Sequence, residues 1–353
     1  MTTVEILIIK LSAIGDVTHT LPALEALHHR FPESNITWLV EEKAQDIIQE
    51  HPYLKRVLVS KRKSWLNNFK SPSLWYTTVK DIKSFMRELR SQNYDMVIDF
   101  QGLLKSGMLV FLSRGKKKIG YDNAREMSSI FLNKKIPQYP MDCHAVDRNI
   151  NLVKHLGVKP EKVTFTMFIG EEDKRRAEHH LSDNKINKNK RLVAINSQAG
   201  WATKIWSPLK LAKLSDMIIK DFDAQIIFTG GKDDNPSVEN ILFSMDHRAV
   251  NLAGKTTLKE LAHILSISDL MITMDSGPMH IASAMGTPTV PLFGPTAPWR
   301  TGPYCNNSII IRNQIPCSPC FKRKCDTMDC MNKISIDDVL GAVQKQFGRM
   351  RKQ

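Results

Sequence analysis

Residues 4–30, VEILIIKLSAIGDVTHTLPALEALHHR, decide how the chain begins to fold. The apolar run from Val4 to Ile9 predicts a buried strand, and leucines at helical spacing predict a helix from Val17 to Arg30. A strand followed by a loop and a helix is the usual start of a nucleotide-binding half-domain. The loop here has one glycine, Gly15, beside a carboxylate, Asp16, and a loop that cradles phosphate has no evident use for that negative charge.

The alternation of predicted strands and helices runs through the first half of the chain and begins again in the second. With 353 residues the chain is long enough for two domains. We predict one domain over 1–170, a second domain over 191–333 and a C-terminal helix over 334–353. The charged linker region between the domains, over 171–190, is predicted to contain a solvated helix and then an exposed connection. Because such alternation builds parallel sheets with helices on both faces, each half should be a doubly wound α/β domain, with a cleft between the two.

The net charge of +14 indicates an anionic partner. Part of the excess lies in three clusters, Lys61–Lys63, Arg114–Lys118 and Lys322–Lys324. Such clusters suit nucleic acid, an acidic membrane surface or a phosphorylated substrate, but no nucleic-acid-binding motif accompanies them. No apolar run approaches the ~20 residues that span a bilayer, and the N-terminus lacks the pattern of a secretory signal. We therefore expect a cytoplasmic protein.

Five of the six cysteines fall between Cys305 and Cys330. Cys317, Cys320, Cys325 and Cys330 resemble a metal knuckle, but the second pair does not have the two-residue spacing of a standard zinc site. Disulfides are disfavoured in a cytosolic protein. We expect reduced thiols that pack as small apolar groups, with a structural metal as the alternative.

Small polar residues follow several predicted strands of the second half, where ligands bind in open parallel sheets. Ser276 and Gly277 would let a phosphate reach the N–H groups that begin the next helix, and His280 in its first turn could donate to a phosphate oxygen. Lys204, in a loop with aromatic flanks, could reach a diphosphate. Helix capping by Asp275 and Ser276, a packed polar His280 and a solvated Lys204 are the alternatives.

The first half has no comparable glycine set and holds much of the basic, aromatic surface, including a polar stretch from Lys61 to Ser73 that predicts a mobile surface segment. This asymmetry favours an acceptor domain. Asp16 would then be a general base, because a carboxylate at a helix N-terminus stays ionised and can take a proton from an acceptor hydroxyl. An aspartate that only caps the helix from Val17 explains the residue equally well.

Two long stretches resemble the signatures of bacterial lipopolysaccharide heptosyltransferases: KLSAIGDVTHTLPAL at 10–24 and MDSGPMHIASAMGTPTVPLFGPTAPWRTGPY at 274–304. Three further segments resemble heptosyltransferase I in particular: VIDFQGLLKSG at 97–107, KKIGYDNARE at 117–126 and HAVDRNINLVKHLG at 144–157. The similarity runs in order over most of the chain.

The resemblance implies an inverting glycosyltransferase of the GT-B type, with two Rossmann-like doubly wound domains facing a central cleft. The domain at 1–170 would bind the acceptor, and the domain at 191–333, with its cysteine-rich loop at 305–330, would bind the ADP-sugar. The implied reaction transfers L-glycero-D-manno-heptose from ADP-heptose to Kdo of Kdo2-lipid A, in the lipopolysaccharide inner core. An enzyme with this lipid acceptor is expected to contact the cytoplasmic face of the inner membrane peripherally.

The resemblance also implies roles for single residues. Asp16 matches the general base of the family. Lys204 would offset the charge of the diphosphate as ADP leaves, so no cofactor and no catalytic metal are expected. The implied donor-binding residues are Thr203, Lys204, Asp275, Ser276, Gly277 and His280. The candidate acceptor-binding residues are Lys105, Arg125, Arg62 and Lys63.

Three other functions compete with this one. A heptosyltransferase of type II or III would have the same fold and add a later heptose. A non-catalytic binder of anionic glycolipid would also suit the basic charge. A nucleotide-dependent oxidoreductase is disfavoured, because neither half has a G-x-G-x-x-G turn after its first strand.

Overall fold

The chain forms two compact units, Met1–Phe168 and Ile169–Gln353. The structure is a computed structural model that describes residues 3–158 and 162–350. Each unit is built on one six-stranded sheet in which all neighbouring strands run parallel.

The first unit alternates strands and helices in the order of the chain. Its strands are β1 (Glu5–Ile9), β2 (Asn35–Glu41), β3 (Arg56–Ser60), β4 (Tyr94–Asp99), β5 (Gly115–Tyr121) and β6 (Lys134–Ile136). Its α-helices are α1 (Ile14–Thr18), α2 (Leu21–Arg30), α3 (Arg62–Asn68), α4 (Trp75–Leu89), α5 (Leu104–Leu112) and α6 (Ala145–Lys154). The strands are arranged across the sheet as β3-β2-β1-β4-β5-β6.

The second unit repeats this plan. Its strands are β7 (Arg191–Asn196), β8 (Ala224–Thr229), β9 (Val250–Asn251), β10 (Leu270–Met274), β11 (Thr289–Phe293) and β12 (Ile311–Arg312). Its α-helices are α7 (Glu171–Asp183), α8 (Pro208–Phe222), α9 (Asn235–Phe243), α10 (Leu258–Ser266), α11 (Gly277–Ala284), α12 (Pro298–Thr301), α13 (Asp329–Asn332) and α14 (Ile336–Met350). The strand order is β12-β11-β10-β7-β8-β9, which is the order of the first sheet and the order of doubly wound nucleotide-binding folds.

Continuous burial of the central strands explains why they form parallel sheets. Ile6, Leu7, Ile8 and Ile9 of β1 have no exposed surface, as expected for a strand covered by helices on both faces. On one face of the first sheet Leu7 and Ile9 pack with α3, α4 and α5. The core of the second unit includes Trp206, Phe228 and the buried side of α14.

The helix predicted from Val17 to Arg30 is two helices, α1 and α2. The cause is Pro22, which lies in the first turn of α2. In a continuous helix its ring would clash with the carbonyl of Thr18, the last residue of α1, and its nitrogen has no hydrogen to donate.

The segment at 171–190, expected to hold a solvated helix and then an exposed connection, does begin with a helix, α7, but this helix packs in the second unit. Ala177 and Leu181 are buried, and the Arg176 guanidinium binds Glu260 of α10 at 2.6 Å. The boundary between the units therefore precedes this helix. The predicted C-terminal helix is α14, and positions 351–353 of that prediction lie outside the described residues.

The stretch from Lys61 to Ser73 also differs from the mobile segment predicted for it. It holds α3, whose Trp65 is buried and packs against Phe85 of α4 with ring centroids 5.3 Å apart. Across the described part of the chain, every helix is too short or too polar to cross a bilayer.

Candidate active site

Each sheet has a point at which the strand order reverses, between β1 and β4 in the first unit and between β7 and β10 in the second. Ligands of doubly wound folds bind at this point, outside the carboxyl ends of the strands. Asp16 follows β1, and Asp275 follows β10 directly. The two predicted motifs therefore lie at the switch points of their own sheets, Asp16 after the first strand of its unit and Asp275 after the fourth.

Asp16 lies in the first turn of α1, and it is not the N-cap residue that the alternative interpretation required. Ala13 occupies the N-cap position, and its N–H donates to Oδ2 of Asp16 at 3.0 Å. Oδ1 has no hydrogen-bond partner among residues 3–158 and 162–350. One oxygen therefore stabilises the start of the helix, and the other is left for a hydroxyl group.

A cavity of about 540 Å³ opens beside Asp16. Its lining includes the cationic side chains of Lys10, Arg125 and Arg148. Arg148 is fixed there by two hydrogen bonds, from its guanidinium to the carbonyls of Met141 at 2.9 Å and Cys143 at 2.7 Å. A cavity lined by three cations and two carboxylates, Asp16 and the buried Asp99, suits an anionic ligand that also carries a reactive hydroxyl.

Lys10 and Asp99 are buried beneath the cavity. The Lys10 ammonium donates to the carbonyl of Phe100 at 3.0 Å, and Asp99 accepts hydrogen bonds from the N–H of Gln101 at 2.9 Å and from the hydroxyl of Ser106 at 2.9 Å. Burial lowers the pKa of Lys10, and nearby carboxylates partly oppose this effect. Burial likewise raises the pKa of Asp99, against its hydrogen bonds and Lys10.

Gln101 links this layer to the loop that carries Asp16. Its side-chain oxygen accepts the N–H groups of Leu11 at 3.0 Å and Ser12 at 3.1 Å. Because Gln101 follows β4 and the loop follows β1, the two bonds fix the loop across the switch point. No pattern in the local sequence marks Gln101, Lys10 or Arg148 as a site residue.

We expect Lys10→Met to make stability more dependent on pH. The pKa of folded Asp99 lies above its unfolded value, so between the two values the folded state holds more protons and the free energy of unfolding falls as pH rises. Without the Lys10 cation the pKa of Asp99 rises further. In denaturant titrations from about pH 4 to pH 8, the free energy of unfolding of the variant should fall more steeply with rising pH than that of the wild type. A difference that is constant over this range would contradict the coupling.

Two of the predicted acceptor residues meet at a buried carboxylate. Lys105 binds Glu41 at 2.9 Å and donates to the hydroxyl of Ser12 at 2.8 Å, and Arg62 lies 3.3 Å from the same Glu41 oxygen. Lys63 is exposed on α3 and joins neither this group nor the cavity lining. Arg125 is in the cavity with Asp16, so the acceptor candidates divide between two places.

In the second unit, Lys204 and Asp275 form an ion pair of 2.6 Å between Nζ and Oδ2. Both side chains are largely buried, and the same carboxylate oxygen accepts the hydroxyl of Thr296 at 2.6 Å. Nζ also lies 4.5 Å from the ring centroid of Trp201, at cation–π distance. Arg323, which sequence reasoning missed, lies 5.0 Å from the same ring. Lys204 is thus a fixed charge, not a solvated one.

Ser276 is the N-cap residue of α11, but its side chain does not cap the helix. Its hydroxyl instead donates to Asn196, at the end of β7, at 2.8 Å. Gly277 begins α11, and His280 is buried in the helix. The strand-end and helix-start residues predicted to bind phosphate are therefore together at the switch point, with Lys204 held there by Asp275.

Thr203 is buried and faces the cysteine-rich loop, because its hydroxyl donates to the carbonyl of Lys322 at 2.8 Å. All six cysteines are free thiols. Cys330 is buried, and burial raises its pKa, whereas hydrogen bonds from Met328 and Thr327 lower the pKa of exposed Cys325. Within residues 3–158 and 162–350, no three Cys, His, Asp or Glu side chains are arranged to hold a metal ion.

Comparison with known proteins matches the chain to one family. The profile of glycosyltransferase family 9 (heptosyltransferase) matches residues 82–331. Lipopolysaccharide heptosyltransferase 1 of Escherichia coli K12 is 29% identical, over 87% of this chain and 93% of its own. Lipopolysaccharide heptosyltransferase 3 of the same strain is 26% identical, over 84% of each chain.

A solved structure confirms the fold. Escherichia coli heptosyltransferase WaaC with ADP superposes with a TM-score of 0.78 at 24% identity, over 97% of this chain and 99% of that one. The predicted fold class, two doubly wound α/β domains of the GT-B type, is confirmed by this match and by the strand orders. The family match covers well over half of the chain, and the chain therefore belongs to glycosyltransferase family 9, the heptosyltransferases.

Proposed function

We propose that this enzyme transfers L-glycero-D-manno-heptose from ADP-heptose to a Kdo residue of Kdo2-lipid A, in the lipopolysaccharide core. The observation that carries the proposal is the cavity in which Asp16 lies among Lys10, Arg125 and Arg148. Kdo is a sugar acid. An acceptor that ends in Kdo therefore carries both the carboxylates that the cations would bind and the hydroxyl that the base would deprotonate. The name of the relative from Escherichia coli, lipopolysaccharide heptosyltransferase 1, supports the same acceptor class.

In the proposed mechanism, Asp16 takes the proton of the acceptor hydroxyl as its oxygen attacks the anomeric carbon of heptose. ADP leaves from the opposite face, so the configuration at that carbon inverts. Oδ1 of Asp16 is the oxygen available for this proton, because Oδ2 is engaged by the N–H of Ala13. The bond from Ala13 also holds the carboxylate in place, so little reorganisation is needed as the proton moves.

The ADP-heptose would bind at the switch point of the second sheet. The N–H groups that begin α11 at Gly277 suit a phosphate, because the hydroxyl of Ser276 donates to Asn196 and does not cap them. Lys204 would offset the charge that develops on ADP as it departs, with Asp275 orienting the ammonium. In this proposal the side-chain cation supplies the charge compensation of the reaction, and Thr203 and His280 complete the donor site.

The nearest competing function is transfer to a later heptose, which the similarity to heptosyltransferase 3 favours. A competition assay separates the two. Wild-type protein is given ADP-heptose with equal concentrations of Kdo2-lipid A and the same lipid already carrying one heptose. We expect product from the Kdo-terminated acceptor, whereas product from the heptose-terminated acceptor alone would contradict the proposed position.

A further inference from the structure

The segment from α3 into α4 displays an unusual set of large apolar side chains to solvent. Tyr76 is 81% exposed, Leu66 57% and Trp75 52%. Six side chains define this α3–α4 surface: Leu66, Phe69, Leu74, Trp75, Tyr76 and Val79. Single exposed hydrophobic residues are common, but a run that includes Phe, Trp and Tyr within 14 positions marks an interaction site.

These side chains are held outward by a packed support. The opposite sides of the two helices are anchored in the core by Trp65, Phe85 and Leu89. The indole N–H of Trp75 donates to the carbonyl of Phe69 at 2.8 Å, which joins the two helices across the turn at Ser71–Leu74. The exposed face is therefore an ordered feature of the fold.

The charge of the same segment is strongly one-sided. Between positions 61 and 87 the chain carries seven Lys or Arg residues and one carboxylate, Asp81. Lys70, Lys80 and Lys83 are exposed beside the apolar side chains. Surfaces that bind an anionic bilayer combine exposed Trp and Tyr with flanking lysines. The rings enter the headgroup region and the lysines contact lipid phosphates. Nucleic acid would match the charge but would leave the apolar side chains in water.

The surface is continuous with residues that we assign to the acceptor. α3 begins at Arg62, whose guanidinium pairs with Glu41, and Glu41 binds Lys105. Lys105 in turn contacts Ser12, in the loop that carries Asp16. A lipid acceptor is embedded by its acyl chains, so a surface beside the acceptor residues is the one that must approach the bilayer.

We infer that the α3–α4 surface docks the protein on an anionic lipid bilayer, with Trp75 and Tyr76 inserted among the headgroups and the neighbouring lysines on lipid phosphates. The inference rests on the proposed function in one respect, the lipid nature of the acceptor. Beyond that function, it identifies the surface that contacts the membrane and the side chains that make the contact.

Flotation of the full chain with vesicles tests this docking without donor or acceptor. The vesicles are phosphatidylcholine alone and phosphatidylcholine mixed with phosphatidylglycerol. We expect the wild type to bind the mixed vesicles only and to be released by high salt. The Trp75→Ser/Tyr76→Ser variant should bind about tenfold more weakly, and the Lys70→Gln/Lys80→Gln/Lys83→Gln variant should lose about fivefold per lysine at low salt.

Matched changes on the second unit serve as controls. Leu209→Ser/Phe243→Ser removes two apolar side chains that are at least as exposed, and Lys213→Gln/Lys220→Gln/Lys345→Gln removes three exposed lysines. Both should bind vesicles like the wild type. Wild-type protein that stays unbound, or test and control variants that bind equally, would overturn the inference. So would a dimer in gel filtration that only Trp75→Ser/Tyr76→Ser dissociates, because the surface would then join two copies.

Transfer assays keep this inference separate from the proposed function. The surface variants should transfer heptose normally to a soluble, deacylated Kdo acceptor and lose activity only with Kdo2-lipid A in vesicles. If no protein transfers heptose to either acceptor, the proposed function fails while the vesicle result still decides the docking. Equal loss on both acceptors would show that the variants damage the site and would contradict a docking role.

Discussion

Asp16→Asn is expected to lower kcat for heptose transfer about 10³-fold, within the range for loss of a general base. Asparagine keeps an oxygen that can accept the N–H of Ala13, so the start of α1 is preserved. It cannot take a proton at neutral pH. Steady-state kinetics with ADP-heptose and the acceptor would therefore show a fall in kcat with little change in KM for the donor.

Asp16→Ala separates the capping role from the chemistry. This variant loses the base and also the hydrogen bond to Ala13. Its kcat should match that of Asp16→Asn, but its free energy of unfolding should be about 1 kcal/mol lower. Transfer by folded Asp16→Asn at a rate near that of the wild type would show that Asp16 only stabilises the helix.

Lys204→Met is expected to reduce both stability and donor binding. Asp275 is 6% exposed, and without the ammonium the Thr296 hydroxyl is the side-chain donor that its carboxylate keeps among the described residues. Breaking such a buried pair costs about 3 kcal/mol, which denaturant unfolding would measure. We also expect ADP affinity in calorimetry to fall about 100-fold, because a diphosphate contact to a charged group is lost.

The double variant Lys204→Met/Asp275→Asn isolates the binding effect. The introduced asparagine would be neutral, and its side-chain oxygen could still accept from Thr296, so most of the lost stability should return. ADP affinity should remain low, since the cation is still missing. Wild-type affinity for ADP in the stable double variant would mean that Lys204 serves the fold alone.

Much of the fold could be predicted from the sequence because its signals are local. Continuous apolar runs predicted the buried strands, and their alternation with helices predicted parallel sheets. The motifs at Asp16 and Asp275 were found because each comes soon after a strand, and the doubly wound order brings such positions to the switch points.

The remaining features depend on contacts between distant segments. Lys10 and Asp99 become one buried layer only when β1 pairs with β4, and Gln101 reaches the loop of Asp16 across the same pair. The charged sequence of α7 predicted a solvated helix in a linker, because its few apolar residues, among them Ala177, gave no sign of the partner helix α10. Lys105 and Arg62 were predicted as ligands of an anion, and the structure adds their shared partner Glu41.

The most direct test of the proposed activity is the mass of the acceptor after incubation of wild-type protein with ADP-heptose and Kdo2-lipid A. We predict a gain of one heptose residue per acceptor and release of one ADP for each heptose transferred. Release of ADP with no gain in acceptor mass, or no consumption of ADP-heptose by the folded protein, would contradict it.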